Sequence, residues 1–131
     1  MLTDYNTEKY NDWEVFHGIK FFRKLEYETA FDGIVKIYSL STENEEVNKL
    51  LSGKFFHRFA YQTENGLLLR QFKAKKSWPK TRLVFLDFSK KDLVMIAKTN
   101  SSYDSWTVKY DKESYKIFVA PEKYLEFKET D

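Results

Sequence analysis

The chain has 131 residues, with 22 Lys and Arg against 20 Asp and Glu, a net charge of +2, and no cysteine. That length fits a single domain, 1–131, with a real core, and 42% apolar with 32% charged residues is an ordinary globular balance. A disulfide scaffold, a thiolate zinc site and a cysteine nucleophile are excluded, and no apolar run approaches the roughly 20 residues of a membrane-crossing helix.

Residues 1–11 are polar and acidic and read as an N-terminal arm, not a secretory signal, so the expected location is cytoplasmic. Lysine outnumbers arginine 18 to 4, a bias that points to an AT-rich bacterial or phage genome. The 24 aromatic residues carry most of the structural information, because many alternate with Lys, Arg, Ser or Thr. That period of two is the signature of antiparallel strands with one apolar and one polar face.

From Trp13 to Phe22 the alternation puts Trp13, Val15, His17, Ile19 and Phe21 on one face, with Gly18 as a bulge. Asp32-Gly33 reads as a two-residue turn pairing Tyr27 with Tyr38 and Leu25 with Leu40. One helix is predicted near residues 42–52. Thr42 and Glu45 make a capping box, Glu43, Glu45 and Glu46 suit the positive end of the dipole, and Gly53 closes it.

Asn65-Gly66 is the strongest turn signal and sets a register in which Phe59 faces Phe72, Tyr61 faces Arg70 and His57 faces Ala74. Arg58, Gln62, Gln71, Lys73 and Lys75 then share the polar face, with Phe56 and Leu69 as exceptions. Leu83–Phe88 and Leu93–Thr99 form another hairpin, whose all-apolar stretch 83–86 predicts a strand covered on both faces. A turn at 111–114 puts Trp106, Val108, Tyr110, Tyr115, Ile117 and Val119 on one face. After Pro121 the chain reads as a short helix or an edge strand. The fold expected is mainly β (α+β): a single antiparallel, strongly curled sheet or small barrel of about 8 strands, built from consecutive hairpins, with one helix inserted.

The most functional-looking segment is Arg70–Arg82, with six basic residues and no acid; the remainder of the chain holds 16 basic against 20 acidic residues. Cations that neutralise phosphates, with an aromatic on which bases stack, are what a sequence-tolerant single-strand binder needs. The predicted nucleic-acid contacts are Arg58, Arg70, Lys73, Lys75, Lys76, Lys80 and Arg82, with Trp78 as the stacking platform. Lys73 lies opposite Arg58 in the predicted register, a like-charge pair that an anion would relieve. The competing explanation is a solvated edge strand protected by lysines.

Two other classes stand beside this one. One is a protein-binding module such as an inhibitor, anti-defence or immunity protein, since exposed aromatics and arginine anchor interfaces. The other is a ligand-holding barrel, or a ribonuclease using His17 and His57, which the apolar faces of a barrel would bring together. No spacing ties the two histidines to a carboxylate or a third metal ligand, so neither catalysis nor a cofactor is expected. Tyr103 is a second candidate ligand contact, Trp106 reads as core, and Phe56 and Phe118 fall on outward faces.

Overall fold

Hairpin follows hairpin along the chain. The computed structural model describes residues 10–28 and 35–129, and within them lie ten strands and one helix. These are β1 (Asn11–Phe16), β2 (Ile19–Glu28), β3 (Lys36–Thr42), α1 (Glu45–Leu51), β4 (Phe55–Gln62), β5 (Gly66–Phe72), β6 (Thr81–Asp87), β7 (Asp92–Thr99), β8 (Thr107–Tyr110), β9 (Tyr115–Ala120) and β10 (Lys123–Phe127). The first seven strands form one antiparallel meander in chain order; the last three form a second sheet in the order β10-β9-β8. The mainly β, antiparallel expectation holds. The single closed sheet does not: β1 and β7 stay at opposite edges, and the last strands build their own sheet.

The reason for two sheets is visible in β5 and β6. Leu67–Arg70 and Leu83–Leu86 are buried at every position, so the meander needs cover on both faces. On one face Leu67, Leu69, Val84 and Leu86 meet Phe16, Phe21, Phe56 and the Val47 and Leu51 stripe of α1. On the other, Phe59, Leu68, Leu83 and Phe85 meet Trp106, Tyr115, Ile117, Val119 and Phe127 of the second sheet. Phe56 and Leu69, exceptions on a supposedly polar face, are thus core residues of a second apolar face. Phe118 is half-buried, packed against Tyr124.

Local signals are corrected at several turns. His17 and Gly18, with φ of 50° and 74°, form the two-residue turn between β1 and β2, so Trp13–Phe22 is a hairpin and not one strand. The Asp32-Gly33 turn lies outside the described residues. Its flanking strands pair as Leu25–Tyr38 and Arg23–Leu40, offset from the predicted register by a bulge. α1 is capped by Asn44, whose side chain accepts from the Val47 N–H, while Thr42 Oγ1 accepts from the Asn44 N–H. The cap therefore sits two residues later than the Thr42–Glu45 box. Pro121 is followed by an edge strand, β10. The 111–114 hairpin forms as expected, and the hairpin expected to turn at 89–92 turns one residue earlier, at 88–91, with Asp87 paired to Asp92.

The β4–β5 hairpin turns at Glu64-Asn65, neither with positive φ, and pairs Gln62 with Leu67 and Tyr61 with Leu68. A distant residue selects this turn: the Glu129 carboxylate accepts from Thr63 Oγ1 (2.6 Å) and the Asn65 N–H (2.7 Å). Further along β4, His57, Arg58 and Phe59 fall opposite Arg70 alone, and Phe72 pairs with Phe55. The Phe59–Phe72, Tyr61–Arg70 and Arg58–Lys73 pairs therefore do not occur.

Gly66 is required by space. A Cβ there would stand 2.1 Å from the Leu86 carbonyl oxygen and 2.8 Å from the Phe85 ring. Gly66→Ala should therefore lower stability by about 2 kcal/mol or more in urea denaturation, since β5 and β6 cannot separate without opening both cores. Gly18→Ala, with open space at its Cβ, pays only for its positive φ and should cost about 1 kcal/mol.

Candidate functional site

Arg70, predicted as a ligand contact, is fully buried. Its guanidinium lies 4.0 Å from the Trp106 ring centroid and 4.9 Å from that of Trp78. Nε donates to Thr81 Oγ1 (3.0 Å), Nη1 to the Tyr103 carbonyl (2.9 Å) and Nη2 to the Ser101 carbonyl (3.0 Å). The last two acceptors belong to the 100–106 crossover between the sheets. Arg70 thus holds that crossover from inside the protein. Ser101 Oγ, bonded to the Val119 carbonyl, fixes it from the other side.

Beside it, His57 is buried, with Nδ1 accepting from the Phe59 N–H (3.0 Å). The neutral ring therefore carries its proton on Nε2, 2.6 Å from Asp104 Oδ1. Asp104 Oδ2 accepts from Arg58 Nη1 at 2.7 Å, so Arg58 is spent on an ion pair. Burial pushes the His57 pKa down to about 4, with Arg70 adding to the effect and the Asp104 hydrogen bond opposing it. Protonating Nδ1 would also set two donors against each other at Phe59. Burial raises the Asp104 pKa, but the His57 and Arg58 hydrogen bonds outweigh it and leave it below the ordinary value. Burial lowers Arg70 to about 10, still charged at neutral pH.

Trp78 is half-buried, stacked on His57 (6.3 Å, 13°) and tilted against Phe72. It is anchored in the protein and offers no free stacking platform. His17 sits at the far end of β4, with Nε2 against the Thr63 and Gly66 carbonyls. The two histidines do not meet, and the two-histidine ribonuclease loses its geometry. Lys75 pairs with Glu26 (3.8 Å) and Lys76 lies over the Tyr27 ring (4.9 Å). The acids of the helix start are likewise occupied: Glu43 accepts from the Lys20 N–H, and Glu46 pairs with Lys91.

The remaining predicted cations do converge. Lys73, Lys80 and Arg82 line a hollow of about 260 Å³ with Lys98, Thr81, Thr99 and Asn100. A second hollow of about 770 Å³ shares Lys98, Thr99 and Asn100 and continues along Ser101, Ser102, Lys123 and Leu125. The two hollows adjoin at Lys98, Thr99 and Asn100, and together their walls carry five cations and no acid. None of the five has an ion-pair partner among the described residues.

β6–β7 pairing sets Arg82 directly opposite Lys98, a like-charge pair that disfavours the sheet unless an anion lies between. Lys98 lies outside the acid-free segment, and the sequence signal for it is the register of the β6–β7 hairpin, which sets it beside Arg82. Lys123 comes from the second sheet, and no local signal places it here.

Comparison with protein families, with curated proteins and with solved structures finds no match to this chain.

The buried His57 makes stability depend on pH. Its folded pKa lies below the ordinary 6.5, so the unfolded chain takes up the proton first as pH falls. Stability should be full above pH 6.5 and fall by about 3 kcal/mol toward pH 4, with Asp104 adding in the same direction. Urea midpoints across that range should show the loss, and His57→Gln should flatten its upper part.

Proposed function

We propose that the protein binds the backbone of a single-stranded nucleic acid, without sequence selection, along the groove of Lys73, Lys80, Arg82, Lys98 and Lys123. The observation that carries this reading is the acid-free wall: five cations without an ion-pair partner among the described residues, around two adjoining hollows, in a protein of net charge only +2. Neutralising phosphates releases condensed counterions, which supplies affinity independent of sequence. A concave channel admits one strand. A duplex would call for an element that enters a major groove about 12 Å wide, and α1 offers Glu45 and Glu46 with a single Lys49. In this reading Trp78, packed on His57, is not the stacking platform, and charge does most of the binding, with Asn100 and Ser102 as polar groups beside it.

A second reading, a peptide-binding module, draws on a different place. β8 is the outer strand of its sheet, and β4 bridges β3 only at Tyr38–Phe56. Between His57–Tyr61 and Asp104–Val108 lies a groove of about 410 Å³. The Asp111 N–H to Ser114 carbonyl bond sets the phase of the hairpin, so Val108 and Tyr110 turn their backbone groups away from β9. An extended peptide would pair there by strand addition. A peptide selected against the protein should lose binding to Val108→Pro, which removes the outward N–H; a peptide that binds the variant equally well sinks this reading.

For the leading reading, a single-stranded oligonucleotide should bind with a slope of log K against log salt of about −3, for four to five neutralised phosphates. Lys98→Glu should weaken binding and reduce the slope by about 1 or more. Trp78→Ala should lower stability without that signature. Salt-independent binding, or none at low salt, would sink the proposal.

A further inference from the structure

The groove is not uniform along its length. Its larger part holds Lys98 and Lys123 around about 770 Å³, whereas its smaller part gathers Lys73, Lys80, Arg82 and Lys98 around about 260 Å³. Four cations in the smaller space exceed what one phosphodiester, with a single negative charge, can neutralise.

Their crowding is built into the fold. Arg82 and Lys98 are held face to face by the β6–β7 register, which puts their Cβ atoms about 5 Å apart. Lys73 and Lys80 flank the tight 74–80 turn, where Ser77 Oγ bonds the Ala74 and Lys80 carbonyls and the Lys80 N–H donates to the Ser77 carbonyl (2.7 Å). Trp78 pins that turn to the protein through His57 and Arg70. The backbone therefore holds the four positions close together, and their side chains lower their repulsion either by extending into water or by closing on an anion. A bound group of high charge density relieves it. Asn100, exposed in the same walls, supplies a further hydrogen-bonding group.

We infer that this pocket takes a terminal phosphomonoester, the phosphorylated end of the strand whose backbone follows the groove. This rests on the single-strand reading and names the part of the ligand that binds tightest. A terminal phosphate carries about −1.5 to −2 near neutral pH and three strong acceptor oxygens, against one charge on an internal diester. The arrangement supplies what that group asks for: a bidentate-capable arginine, three lysines and no competing carboxylate.

The test is a set of titrations at fixed salt with one oligonucleotide in three forms: unphosphorylated, 5′-phosphorylated and 3′-phosphorylated. A mononucleotide monophosphate and inorganic phosphate serve as separate ligands. A terminal phosphate at one end should tighten binding by tenfold or more, and Arg82→Gln and Lys80→Gln should each remove most of that increment. Circular dichroism and a urea midpoint establish that the variants are folded. Equal affinity for all three oligonucleotides, with steep salt dependence retained, overturns the end pocket and leaves the groove reading standing. No binding of any oligonucleotide overturns both. A mononucleotide that binds as tightly as the phosphorylated strand overturns the strand-end assignment, because the ligand is then a free phosphomonoester.

Discussion

A fully buried arginine between two tryptophans is the interaction on which the rest of this structure depends. Arg70 lies on β5, an interior strand of the seven-stranded sheet, and spends donors on two carbonyls of the crossover to the second sheet. Burying a guanidinium is costly unless its donors are matched and its charge is compensated. Here two indole faces, Thr81, two carbonyls and the nearby Asp104 share that task. Removing the arginine would leave carbonyl groups unpaired inside and release the segment that joins the two sheets.

The crossover explains how a core feature reaches the surface. Its carbonyls at Ser101 and Tyr103 face Arg70, while Asn100, Ser101 and Ser102 line the cationic groove. The network of Arg70, His57, Asp104 and Arg58 is partly compensated, with one carboxylate against two arginines and a neutral imidazole. The groove is the reverse, an uncompensated set of cations. The basic segment 70–82 thus divides by depth: its first residue is buried in the fold, and Lys73, Lys80 and Arg82 line the surface hollow.

Several local rules yielded to distant groups. Asn65-Gly66 is a strong turn signal, yet the turn moved back by one position because Glu129, near the other end of the chain, collects donors at Thr63 and Asn65. Gly66 is still indispensable, for lack of space beside Leu86 and not for its φ. In β4, the extra residues opposite Arg70 let His57 turn inward to Asp104, which regular pairing would have faced elsewhere. The shifted turn and the β4 irregularity each serve a contact between residues more than 40 positions apart in the chain.

The sequence by itself determined the class and most of the elements: alternation marked the hairpins, the all-apolar 83–86 stretch marked a strand buried on both faces, and Gly53 marked the helix end. These are local properties, written in period and turn chemistry. It also located three of the five groove cations, Lys73, Lys80 and Arg82, because they cluster in one acid-free segment. Only the tertiary structure decided that the strands split into two sheets, that Arg70 and Trp78 turn inward, that Arg58 is spent on Asp104, and that Lys98 and Lys123 complete the groove. Composition records a cation without recording its depth, and depth is set by which distant carbonyl, ring or carboxylate the fold brings against it.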